Sequence, residues 1–120
     1  MTLRPWLPPI AWAAFILVLT SIPGAHIPRV PIQGIDKVVH LFCYGVLAFL
    51  TYPPLAQASG AVRAAILVML AIAIFGALDE WHQQFIPGRT MDLYDWFADT
   101  LGAFLGLIAA IVIPRRAVHS

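Results

Sequence analysis

Long runs without a charge, with few carboxylates and those clustered near their ends, set the terms for this chain. No Lys, Arg, Asp or Glu occurs between Arg4 and Arg29, between Lys37 and Arg63, or between Arg63 and Asp79. The acids are Asp36, Asp79, Glu80, Asp92, Asp95 and Asp99, and all lie at the ends of such runs. Hydrophobic residues make up 61% of the 120 and charged residues 11%, less than half the roughly 25% of an average soluble domain. An ionisable group at the end of an apolar span is a candidate functional group.

Four apolar segments follow: about Trp6 to Ile22, Val38 to Leu55, Ala64 to Leu78 and Trp96 to Ile113. Each is near the roughly 17–25 residues of a transmembrane helix, and soluble helices are seldom apolar on every face. The first could instead be read as a signal peptide ending near Gly24-Ala25, but Pro8, Pro9 and Pro23 suit that poorly. Pro23, Gly24, Pro28, Pro31 and Gly34 mark the first loop, Pro53, Pro54 and Gly60 the middle one, and Pro87-Gly88 a turn in the third. Short loops join antiparallel neighbours. The expected fold is an all-α membrane protein, a compact four-transmembrane-helix bundle with short loops, forming a single domain over residues 1–120. Four spans place Arg4, Arg63, Arg115 and Arg116 on one side and Arg29, Lys37 and Arg89 on the other. The positive-inside rule then puts the termini inside and all six acids outside. The formal net charge of +1 is uninformative about nucleic acid, but no basic patch is large enough to bind one, so no nucleic-acid partner is expected. Cys43, the single cysteine, reads as a small buried hydrophobe.

The polar residues share faces. Asp36, His40 and Tyr44 are four apart, with Lys37 beside them. Asp92, Asp95, Asp99, Gly102 and Gly106 follow steps of three and four, one stripe on a helix. Gly102 and Gly106 form a small-xxx-small pair that lets another helix come close. Asp79, His82 and Gln83 share a face, while Glu80 is offset by about 100°. Together they outline one pocket at one end of the bundle, with Arg89 and Lys37 as counter-ions. The acids outnumber those cations. Either some carboxylates hold protons or the site binds a cation or cationic ligand.

Three segments resemble signatures of the VanZ-like family of small bacterial membrane proteins, in the family's order across residues 36–106. They are Asp36-Lys37-x-x-His40-x-x-x-Tyr44, then Asp79-Glu80-Trp81-His82-Gln83-x-Phe85-x-Pro87-Gly88-Arg89, then Asp95-x-x-x-Asp99-x-x-Gly102-x-x-x-Gly106. Asp99 departs from the family, which more often has Asn there. The resemblance implies a multi-pass protein of the bacterial plasma membrane with a role in the cell envelope. The family's namesake is associated with resistance to the glycopeptide teicoplanin. The family supplies no agreed catalytic residues.

Four readings of the pocket compete. It binds an envelope-related ligand without turnover. It is the site of a membrane enzyme acting on a lipid-linked or peptidoglycan precursor. In that case His40 or His82 serves as acid or base, Asp79, Glu80 and Asp95 carry a proton or a divalent cation, and Lys37 and Arg89 hold a phosphate or carboxylate. It belongs to a proton- or ion-coupled transporter, which would need an oligomer. Or it only holds the bundle, although polar contacts between membrane helices are worth only about 0.6 kcal/mol on average. Glu80, Asp92 and Asp36 are the acids expected nearest water or at helix caps. Trp6, Trp81, Tyr94 and Trp96 read as interfacial aromatics, Phe85 as a loop seal, and His26 and His119 as exposed bystanders.

Overall fold

The computed structural model describes residues 3–27 and 34–113. Arg29, Arg115, Arg116 and His119 lie outside the described residues, so what the sequence suggests for them has no structural counterpart here. A 3-10 turn at Arg4–Trp6 leads into α1 (Leu7–Thr20), and a second 3-10 turn covers Gly24–His26. Three long helices follow: α2 (Ile35–Ser59), α3 (Ala61–Gln83) and α4 (Leu93–Val112). Among the described residues there is no strand. The long helices are apolar enough to cross a membrane, and their outward faces carry large hydrophobic side chains such as Ile66, Leu70 and Ile74. The apolar run Arg4–Thr20 is shorter. Pro8 and Pro9 fall in the first turn of α1, where the missing N–H costs nothing.

Helix ends differ from the sequence reading, for physical reasons. Pro53 and Pro54 do not break α2 but lie inside it. Hydroxyls bond back along this stretch, Thr51 Oγ1 to the Leu47 carbonyl at 2.6 Å and Ser59 Oγ to that of Leu55 at 2.7 Å. Proline is tolerated inside apolar helices, where local adjustment and neighbouring groups take up the freed backbone. The middle loop shrinks to one residue. Gly60 caps both α2 and α3 at φ 88° and ψ 160°, a backbone region open essentially to glycine alone. At its other end α3 does not stop at the first carboxylate. It runs on through Asp79 and Glu80 because both side chains face protein, 2% and 3% exposed.

The closest contact in the bundle is backbone against backbone. A methyl group on Gly102 would run into the Leu41 carbonyl, and one on Gly106 into the Gly45 carbonyl. Gly45 in turn would meet the Gly102 carbonyl oxygen at 3.1 Å. Thus α2 and α4 touch along Leu41, Gly45, Gly102 and Gly106. Below this seam Tyr44, Leu47, Ala48, Val68, Ile72, Ala103 and Leu107 form the core, with Ile16 from α1. Trp12 Nε1 donates to the Cys43 carbonyl at 2.8 Å and anchors α1 on α2.

Adding a methyl group at Gly102 or Gly106 should lower stability by about 1–3 kcal/mol through overpacking. Gly60→Ala should cost about as much by strain alone, since nothing lies within 4 Å of its added carbon. Reversible unfolding in mixed micelles, followed by circular dichroism, measures all three.

Candidate functional site

The antiparallel order brings the end of α1, the start of α2, the end of α3 and the start of α4 together. At this end α2 presents a descending series of donors, one turn apart: Lys37, His40 and Tyr44. Each meets carboxylates from α3, α4 or the loop between them.

Lys37 Nζ lies 2.7 Å from Asp36 Oδ2, 2.8 Å from Asp92 Oδ2 and 2.6 Å from Asp95 Oδ1. An ammonium has three donors, and all three are used. Asp92 also caps α4, accepting the Tyr94 N–H at 2.9 Å. The Lys37 ammonium, helped by that N–H, holds the Asp92 carboxyl below the ordinary carboxylate range. One turn deeper, His40 Nδ1 is 2.8 Å from Asp99 Oδ1. The ring also lies 3.6 Å from Asp95 Oδ2 through Nε2 and 4.0 Å from Glu80 Oε1 through Nδ1. One turn deeper again, Tyr44 Oη donates to Asp79 Oδ2 at 2.8 Å. The other oxygens of Asp79 and Asp99 are buried with no hydrogen-bond partner. Gly76 makes room for Asp99, since a methyl group there would sit 3.2 Å from its Oδ2.

Glu80 is a correction to the sequence reading, which placed it near water. Its Oε2 accepts the Asp92 N–H at 3.2 Å, and its Oε1 receives a long 3.4 Å bond from Gln83 Nε2. One ligand atom each from His40, Glu80 and Asp95 lie within 4.8 Å of one another, a spacing that could hold a metal ion. The site thus joins Lys37, His40, Tyr44, Asp79, Glu80, Gln83, Asp95 and Asp99. Asp36 stays at the rim, its side chain 60% exposed.

Arg89 is the second correction. As a counter-ion to the acids it would have to turn into the site. Instead its Nε donates to the Ile22 carbonyl at 3.0 Å and its Nη2 to the Leu19 carbonyl at 2.9 Å. It satisfies the carbonyls left over at the end of α1. The Gly24 N–H donates to the Pro87 carbonyl at 2.8 Å, and Gly24 and Gly88 meet backbone to backbone. Arg89 thus turns toward α1, away from the carboxylates, while Lys37 spends all three donors on them. His82 is half-buried with an unpartnered Nδ1. Trp96 turns its ring edge to protein: its Nε1 donates to the Ala73 carbonyl of α3 at 2.9 Å. Trp81, Phe85 and Tyr94 are exposed. Phe85 packs edge-on against Trp81, ring centroids 5.2 Å apart, and does not close the loop.

Two outcomes follow from this geometry. Tyr44→Phe strips Asp79 of its donor and should cost about 1–3 kcal/mol. Adding Asp79→Leu should restore part of that, read from the same unfolding transitions. Arg89→Ala should loosen the end of α1 without disturbing the carboxylates. Amide exchange rising at residues 19–24 and unchanged at residues 95–99 would show it.

Comparison with known proteins agrees with the motifs. The VanZ/LLP1 family model matches residues 6–114. An uncharacterized protein of the fission yeast Schizosaccharomyces pombe is 32% identical over 102 residues, which is 84% of this chain and 62% of that protein. The chain therefore spans about three fifths of the length of this relative. No solved structure matches the chain. With the family match running through all four helices and the whole polar site, the chain belongs to the VanZ/LLP1 family.

Proposed function

We propose that this VanZ/LLP1 protein spans the bacterial plasma membrane four times, with its termini inside, and binds an envelope-related ligand through a site open to the outer face. The run Arg4–Thr20 would supply the fourth span, made up for in length by local thinning of the bilayer. The envelope theme rests on the family namesake and its association with teicoplanin resistance. One observation carries the binding reading. Asp79, Glu80, Asp95 and Asp99 are all buried, yet among the described residues the side chains that pair with them as cations are one saturated ammonium and one imidazole. Such an excess of buried negative charge is costly unless something positive completes it. Of the two ways to relieve it, protonated carboxylates or a bound cation, the binding reading takes the second: a ligand that presents an ammonium group or arrives with a divalent cation.

A second reading has its own support. The spacing of His40, Glu80 and Asp95 suits a membrane enzyme that acts on a lipid-linked or peptidoglycan precursor through a bound cation.

Two measurements test the proposal. In a Cys43→Ala background, Asp36→Cys should react with a membrane-impermeant maleimide on intact cells, and Arg63→Cys only after permeabilisation. The reverse pattern would refute the orientation. Teicoplanin and a lipid-linked peptidoglycan precursor, each titrated into protein in nanodiscs, should give saturable binding in at least one case, about tenfold weaker in Asp95→Asn. Absence of binding by both would sink the ligand reading. Release of phosphate from the precursor would favour the enzyme.

A further inference from the structure

We infer that His40, Glu80 and Asp95 are the protein ligands of a divalent transition-metal ion, of the zinc or manganese class, at the mouth of the bundle. The inference deepens the proposed binding function and relies on it for the envelope ligand only, since the cation site stands on its own geometry.

The three ligands come from three helices: His40 from α2, Glu80 from α3 and Asp95 from α4. Each is held by a second partner that leaves a ligand atom for the metal. Asp99 Oδ1 takes His40 Nδ1 at 2.8 Å, which leaves Nε2 to ligate. Lys37 takes Asp95 Oδ1 at 2.6 Å, which leaves Oδ2. The Asp92 N–H takes Glu80 Oε2 at 3.2 Å, which leaves Oε1 with its long 3.4 Å bond from Gln83. This is the outer-shell arrangement that orients metal ligands, with a carboxylate on the far nitrogen of the histidine.

Two of these atoms face each other without a good bond between them, and Glu80 Oε1 lies beside the same ring, 4.0 Å from His40 Nδ1, within the 4.8 Å that joins all three residues. His40 Nε2 and Asp95 Oδ2 stand 3.6 Å apart, too far for a hydrogen bond. Two ligands of a tetrahedral ion at about 2.1 Å each are separated by about 3.4 Å. Glu80 is 3% exposed and Asp99 1%, and Asp99 Oδ2 has no partner. Two carboxylates neutralise a dication. The imidazole argues against magnesium and calcium, which favour all-oxygen sets, and the lack of a thiolate argues against soft ions. Three protein ligands leave a coordination position open, and it is there that an envelope ligand would bind.

The test uses the full chain, purified in detergent, stripped with chelator and titrated with Zn2+ or Mn2+ alone. We expect one ion per chain by elemental analysis. Affinity should fall at least tenfold in Glu80→Gln and in Asp95→Asn, and about 10–100-fold in the positioning variant Asp99→Asn. Arg63→Gln, at the far end of α3, should bind like the original. X-ray absorption should show one nitrogen-type ligand that disappears in His40→Gln, a signature that a folding defect would not imitate. Wild-type protein that takes up no ion overturns the inference whatever the variants do, as does unchanged affinity in Glu80→Gln and Asp95→Asn. Ion binding without any envelope ligand would leave this site standing and sink the proposed function. Envelope-ligand binding by protein that takes up no ion would do the opposite.

Discussion

The seam between α2 and α4 is the contact on which the rest depends. Where helices this apolar cross a bilayer, lipid is as apolar as they are, so no hydrophobic force drives them together. Close backbone packing must do so. At Gly102 and Gly106 the backbone of α4 rests on the carbonyls of Leu41 and Gly45. That approach fixes both distance and register. Leu41 and Gly45 are one turn apart, as are Gly102 and Gly106. Continuing both helices toward the polar end brings His40 to Asp99 and Lys37 to Asp95 at bonding distance. The packing seam and the polar site are thus two halves of a single interface.

Around that pair, α3 and the loop after it complete the site. Asp79 and Glu80 are adjacent, so their side chains diverge by about 100°, yet both are buried. One reaches Tyr44 on α2, and the other meets the backbone at Asp92 just before α4. The end of α3 therefore serves both neighbours at once. Arg89 leaves the acids and fastens this end to α1. Its departure is what makes the negative charge of the interior so poorly compensated.

Much of this was legible from residue spacing. Steps of three and four placed Asp95, Asp99, Gly102 and Gly106 on one stripe and linked His40 with Tyr44, because helical periodicity needs no tertiary information. Boundaries were less legible. Charges and prolines read along the chain as span ends, but Asp79 and Glu80 continue α3 because they face protein, and Pro53 and Pro54 stay within α2. Gly45 carried no pattern of its own, since its role depends on which face α4 covers. The burial of Glu80, the turn of Arg89 toward α1 and the bond from Trp96 to Ala73 are contacts between elements, which spacing along one helix cannot report.

The central claim is that the buried charges exist to bind something, at no benefit to the stability of the bundle. A buried charged pair replaced by apolar residues of similar size is often neutral or stabilising by about 1–4 kcal/mol, whereas removing one partner is not. The most direct measurement is the unfolding free energy of the double variant His40→Leu/Asp99→Leu in metal-free micelles. Stability equal to or above that of the original protein is the expected result. A loss of several kcal/mol would contradict the account and make the network the glue of the bundle.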